Sequence, residues 1–202
     1  MRITRNCLLR CALAFWFISV IPALADLEAG KRAYEQRDYT TALKELKPLA
    51  EQGNAKAQAL LGLMYNLGRG VPLDVDQAMK WFKAAADQGN AEGQCRLGSL
   101  YLKTDTAQGL RLLKLSAEQG FADAYLMLGL AYMNLKDAPL DLVQADMWLQ
   151  LAAAGKDPLA AKQRARAEGQ MTPDQVAKAR LLAAAWKPKT SPSAPESFRG
   201  PD

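Results

Sequence analysis

The chemistry open to this chain is bounded first by what it lacks. Its 202 residues contain no histidine, which removes a Ser-His-Asp triad, a Cys-His dyad, histidine-containing zinc sites and a histidine pH switch. The cysteines are Cys7, Cys11 and Cys95. Two fall in the first 25 residues, so neither a disulfide framework nor a Cys-only zinc site is open to the rest. Carboxylates come closest to a catalytic pair. Glu28, Glu35 and Asp38 lie together near the start, and Glu118 is five residues before Asp123. A glycosidase needs two such acids, but charged side chains on helix faces and ends are ordinarily solvated. Gly68-Arg-Gly-Val71 lacks the Gly-Lys-Ser/Thr ending of a phosphate loop and reads as a turn. No catalytic residue, metal site or cofactor is expected from these residues, and architecture carries the rest of the reading.

Composition places the chain among globular proteins, with 50% apolar and 23% charged residues. The first 25 residues stand apart. Arg2, Arg5 and Arg10 precede an apolar run over 11–21, Pro22 breaks it, and Ala23-Leu24-Ala25 follows. A basic start, short apolar core and A-x-A end make a secretory signal peptide cleaved between Ala25 and Asp26. The competing reading is an uncleaved anchor, but the run is far shorter than the roughly 20 residues a spanning helix needs. Asp26 follows the cut rather than cysteine, so the lipoprotein signal is missing. Cleavage would lower the net charge from +5 to +2. The expected location is the periplasm or the medium, without a stable membrane anchor. No block of basic residues interleaved with aromatics remains, so nucleic acid is not an expected partner.

The remainder repeats itself. Asn54-Ala-Lys-Ala-Gln-Ala-Leu-Leu-Gly-Leu-Met-Tyr65 is echoed by Asn90-Ala-Glu-Gly-Gln-Cys-Arg-Leu-Gly-Ser-Leu-Tyr101 and by Phe121-Ala-Asp-Ala-Tyr-Leu-Met-Leu-Gly-Leu-Ala-Tyr132. Between these run blocks that close on Ala-Glu-Gln-Gly53, Ala-Asp-Gln-Gly89, Ala-Glu-Gln-Gly120 and Ala-Ala-Ala-Gly155. Ala57, Leu61, Met64 and Tyr65 form one helical stripe, and Ala78, Trp81, Phe82 and Ala85 form another. Asp74 with Gln77 and Asp141 with Gln144 fit N-terminal capping boxes. Gly53, Gly89 and Gly120 stand where helices need a left-handed stop. Gly62, Gly98 and Gly129 recur inside the first helices at about 1 kcal/mol each relative to alanine, which implies close approach of a neighbouring helix. Tyr65, Tyr101 and Tyr132 recur likewise, and Trp81 and Trp148 share one position, which favours core packing. Cys95 aligns with Ala59 and Leu126 and reads as a small buried side chain.

One such helix pair cannot bury its own apolar face, whereas stacked pairs can. The expected fold is all-α, a right-handed α/α solenoid of antiparallel helix pairs over 26–186. It opens with a pair over 27–52, continues through three central pairs, and closes with a more polar pair over 159–168 and 173–186. Thr172, Pro173 and Gln175 start the last helix as N-cap, N1 and N3. Residues 187–202, rich in proline and serine, read as a disordered tail.

The pattern over 55–89 resembles the Sel-one-like repeat, a relative of the tetratricopeptide repeat. It is carried by Ala55, Ala57, Gln58, Leu61, Gly62, Met64, Tyr65, Gly68, Gly70, Val71, Asp74, Ala78, Trp81, Ala85, Ala86, Gln88 and Gly89. Residues 91–120 lack the G-x-G-V loop, and 122–155 close on Ala154-Gly155 instead of Gln-Gly. The resemblance implies a superhelix that holds a protein or peptide, as an adaptor for assembly or signalling at the bacterial envelope, with no enzymatic activity. A branch of the family with paired cysteines in every repeat is linked to β-lactam binding. This chain lacks those pairs. The alternative is an envelope factor that acts on or binds peptidoglycan.

Positions that vary between repeats are the candidate partner surface. They are Leu60, Arg96 and Met127; Leu63, Ser99 and Leu130; and Leu67, Lys103 and Asn134, on one face of the first helices. The resemblance implies that this face lines the concave surface. Such a stripe suits an amphipathic helix or extended segment with acidic residues. It equally suits a solenoid seam, in which the apolar members complete the core and the cations are solvated.

Overall fold

The computed structural model describes residues 26–134 and 141–189. The leader over 1–25, Pro139 in its loop and the tail from residue 190 lie outside the described residues. The described chain is all helical, with ten helices in five consecutive units. They are α1 (Leu27–Glu35) and α2 (Tyr39–Glu51), α3 (Ala55–Leu67) and α4 (Val75–Asp87), α5 (Ala91–Tyr101) and α6 (Thr106–Glu118), α7 (Ala122–Asn134) and α8 (Leu142–Ala154), and α9 (Pro158–Glu168) and α10 (Pro173–Ala185). No described helix is long and apolar enough to cross a membrane.

Local chemistry explains the boundaries. The side chains of Asn54, Asp74, Asn90, Asp105 and Asp141 each accept from the backbone N–H three residues on, at 2.8–3.0 Å. Each bond satisfies one amide that the first helical turn leaves unpaired. Thr172 and Gln175 make the full reciprocal box at the start of α10. Gly53, Gly89 and Gly120 end their helices with φ of +91°, +80° and +80°, a region that a Cβ disfavours. The fourth unit departs from this pattern. Gly155 has φ −77° and caps α8, and the left-handed residue is Lys156 at φ +63°. The helix therefore runs one residue further than the repeated Gly suggests, and a lysine takes a conformation costing roughly 1–2 kcal/mol.

Within each central unit the first helix packs on the second, and the second packs on the first helix of the next unit. The recurring glycines mark the crossings. A Cβ on Gly62 would meet the Phe82 ring at 2.7 Å, and one on Gly129 would meet Leu149 Cγ at 2.5 Å. At the middle crossing a Cβ on Gly98 would lie 3.0 Å from the carbonyl oxygen of Gly109, and one on Gly109 would lie 2.9 Å from that of Gly98. Leu61, Leu97 and Leu128 are buried in every unit, beside Phe82, Leu112, Leu113, Trp148 and Leu149.

The closing unit differs from the pair expected over 159–186. Both α9 and α10 pack chiefly on α8 rather than on each other. Ala160 of α9 and Ala183 of α10 enter the same core as Trp148. Periodicity marks which face of α10 is apolar, but not which neighbour receives it.

Candidate functional site

The varying stripe of the first helices splits by depth. Leu60 and Leu63 are 3% and 4% exposed and belong to the core. Arg96, Ser99, Met127 and Leu130 are half-buried. Leu67, Lys103 and Asn134, at the ends of α3, α5 and α7, are exposed. The apolar anchors at Leu60 and Leu63 therefore serve packing, and the outer row offers one apolar, one cationic and one amide side chain. Ser99 Oγ donates to the Cys95 carbonyl at 2.9 Å and Asn134 Nδ2 to that of Leu130 at 2.9 Å, each an in-helix bond.

Arg96 is not a solvated cation. Its Nη2 lies 3.2 Å from Asp123 Oδ2 on α7 and 3.5 Å from Glu92 Oε1 one turn earlier on α5. Burial alone would lower its pKa, but the carboxylates of Glu92 and Asp123 outweigh that and hold it above its ordinary value. The pair thus ties the first helices of neighbouring repeats together. The Glu92-to-Arg96 spacing of four residues was a visible sign of it.

Three of the other candidate carboxylates, Asp38, Glu28 and Glu118, also have local roles. Asp38 caps α2 through the Thr41 N–H at 3.1 Å, and those hydrogen bonds lower its pKa. Glu28 lies 3.8 Å from Lys31. Glu118 Oε1 lies 2.8 Å from Lys189 Nζ. Among the described residues no group of three or more acidic, cysteine or histidine side chains could hold a metal ion. Cys95 is buried, and desolvation pushes its thiol up to about 12. A thiol so far from thiolate at neutral pH is a packing residue rather than a nucleophile.

Three polar or aromatic clusters escaped the sequence reading. The first is a glutamine ladder. Gln88 Nε2 donates to Gln58 Oε1 at 2.7 Å, and Gln58 Nε2 donates to the Ala50 carbonyl at 3.1 Å. One repeat on, Gln119 Nε2 donates to Gln94 Oε1 at 2.8 Å and to the Gly89 carbonyl at 2.9 Å. Recurrence of these glutamines was the signal. The third repeat carries Tyr125 at the ladder position, where it stacks on Trp148 at 5.9 Å. The second cluster is in the loop between α3 and α4. Arg69 Nη1 donates to the Tyr34 hydroxyl at 2.8 Å and its guanidinium lies over the Tyr34 and Tyr39 rings. Gly70, at φ +74°, lets this loop close, since a Cβ there would lie 2.7 Å from Tyr39 Cβ. The third joins the last helices: Arg164 Nε donates to Asp146 Oδ1 at 3.2 Å and Nη2 to Glu168 Oε1 at 2.7 Å, with Arg180 3.5 Å from Glu168. Asp146 is fully buried, and desolvation raises its pKa against the pull of Arg164.

This architecture has known counterparts. The Sel1 repeat family matches residues 55–90, 91–121 and 122–157, which are the three central units. A Sel1 repeat protein from Oxalobacter formigenes is 25% identical, with 79% of this chain and 70% of that chain covered at a TM-score of 0.60. The c5321 protein, a protective antigen present in uropathogenic Escherichia coli strains and displaying an SLR fold, is also 25% identical. There 76% of this chain and 43% of that chain are covered at a TM-score of 0.41. No curated protein sequence matches the chain. Three consecutive matches spanning half the sequence, on three units that share a glycine-marked helix crossing, make this chain a member of the Sel1 repeat family.

Proposed function

We propose that the chain is exported, loses residues 1–25, and acts as a non-enzymatic adaptor that holds a protein or peptide at the envelope. Sel1 repeats form a helical fold typically used for protein–protein interaction. The observation that carries the proposal is the outer row at the ends of α3, α5 and α7. Leu67, Lys103 and Asn134 occupy equivalent positions, are all exposed and all differ, while Leu61, Leu97 and Leu128 behind them are constant and buried. Stacking fixes the inner residue type and leaves the outer one open to selection by a partner. The sequence of the leader supports export.

The test is crosslinking in the native envelope followed by mass spectrometry, with the double variant Leu67→Lys and Lys103→Glu alongside. The expected result is one protein partner that the variant loses while its melting temperature is unchanged. The intact mass of the exported chain should lack residues 1–25. Release of muropeptides by the purified protein would refute the adaptor reading, and retention of Met1 would refute cleavage.

A further inference from the structure

The described chain continues past its last helix. α10 ends at Ala185, and Trp186 is extended at φ −68° and ψ 132°. Lys187 precedes Pro188, which also disfavours helix. The Trp186 N–H closes the last turn of α10 on the Leu182 and Ala183 carbonyls. The next residues nevertheless make specific contacts far away in sequence. The Trp186 ring meets Trp148 edge-on at 4.7 Å. Three residues later, the Lys189 N–H donates to the Glu118 carbonyl at 2.8 Å and its Nζ lies 2.8 Å from Glu118 Oε1. An aromatic contact, a main-chain bond and an ion pair thus hold the four residues Trp186–Lys189.

The receiving surface is where the repeats break their own rules. Glu51 and Asp87 pair with the lysine one turn earlier in their own helices, Lys47 at 4.0 Å and Lys83 at 2.7 Å. Lys114 is the equivalent lysine in α6, but its Nζ lies over the Tyr132 ring instead. That leaves Glu118 to Lys189. Likewise the ladder positions Gln58 and Gln94 become Tyr125 in the third repeat, and its stacking on Trp148 builds the platform that Trp186 meets. Two independent departures from the repeat pattern fall under the same four residues. Lys189 is largely exposed, so its ion pair contributes little to stability and more to the choice of ligand. Extended, proline-containing segments docking on aromatic surfaces are a general mode of peptide recognition.

We propose that Glu118, Tyr125 and Trp148 form a peptide-binding site that the chain fills with its own Trp186–Lys189. The partner it fits is an extended basic segment with a large aromatic residue three positions before a lysine. The built-in segment competes as a tethered ligand, so a partner must displace it or present a tighter version of it. This site is separate from the outer row of the first helices and does not rest on that row binding anything.

The probe is a fluorescein-labelled peptide of residues 183–189, AAAWKPK, read by anisotropy against the full mature chain. The Trp186→Ala, Lys189→Glu double variant, with its site vacated, should bind the probe at least tenfold more tightly than the unsubstituted chain. Adding Glu118→Lys to that variant should abolish the gain. Equal binding by the two chains, no binding by either, or a gain that survives Glu118→Lys overturns the proposal. A second measurement decides the matter if the double variant fails to fold. Glu118→Lys alone should accelerate tryptic cleavage after Lys189 at least fivefold under native conditions, and an unchanged rate overturns the proposal.

Discussion

Replacing Gly98 by leucine tests the packing logic where two helix backbones cross. Gly98 on α5 and Gly109 on α6 cross so closely that a Cβ on either would crowd the other's carbonyl oxygen. The atoms a new Cβ on Gly98 would meet are the Gly109 carbonyl oxygen at 3.0 Å, Leu112 Cβ at 3.1 Å and Leu113 Cγ at 3.1 Å. One is backbone and a second is fixed directly to it, so a rotamer change cannot clear them. Helix propensity favours the substitution by about 1 kcal/mol. Overpacking works against it by about 1–3 kcal/mol, and more where a whole helix must shift. α6 is packed on both α5 and α7, so moving it away from one disturbs the other. The net loss should exceed about 2 kcal/mol, and the melting temperature should fall by about 4–8 °C for an array of this length. Gly98→Ala is the control, because it adds only the Cβ. Propensity and crowding then nearly cancel, leaving a change within about 1 kcal/mol. Urea and thermal unfolding followed by circular dichroism read both variants. A Gly98→Leu protein with unchanged midpoint and melting temperature would refute close packing at the repeated glycine.

Arg96→Glu should lower the melting temperature clearly, since it sets a third carboxylate between Glu92 and Asp123, whereas Lys103→Glu at an exposed position should leave it unchanged. Gln58→Ala should cost about 1–3 kcal/mol in urea unfolding, because it removes both the bond to the Ala50 carbonyl and the rung to Gln88, while that carbonyl keeps the Gly53 N–H. Cys95 should resist a thiol reagent in the folded protein and react fully in denaturant. Its folded pKa of about 12 lies above the ordinary 9.0. The unfolded chain therefore binds fewer protons between these values, and stability should fall as pH rises above about 9, by up to about 1.4 kcal/mol per unit. Cys95→Ala should lose that part of the slope, and identical pH profiles for the two proteins would contradict it.

Most of the helix boundaries were legible because local chemistry writes them. Asp74, Asp141 and Thr172 cap the helices their spacing predicted, and Gly53, Gly89 and Gly120 end helices in the left-handed region. The end of α8 was not legible in this way, since it runs one residue further and places Lys156 rather than Gly155 in the left-handed region. Tertiary choices were less legible. Nothing in the periodicity of α10 directs it onto α8 rather than α9. The candidate surface was only partly visible for a related reason. Variation between repeats separates constant from changing positions, but a changing position can still be core, as Leu60 and Leu63 are, or be satisfied within the fold, as Arg96 is. The glutamine ladder was present in the repeated letters, but its meaning required knowing that Gln88 and Gln58 meet across the pair.

The ladder also bears on how such an array can change length. Each rung needs a glutamine at the end of a unit and another near the start of its first helix, as Gln88 with Gln58 and Gln119 with Gln94. A duplicated copy of residues 55–90 brings both halves of a rung and can be spliced into the interior. A duplicated copy of residues 122–157 brings Tyr125 and Trp148 but not the Trp186 that covers them, so it would end on an uncovered aromatic face. Units are therefore interchangeable in the middle of the stack and not at its end, and the last unit acts as a terminator that sets where growth of the solenoid stops.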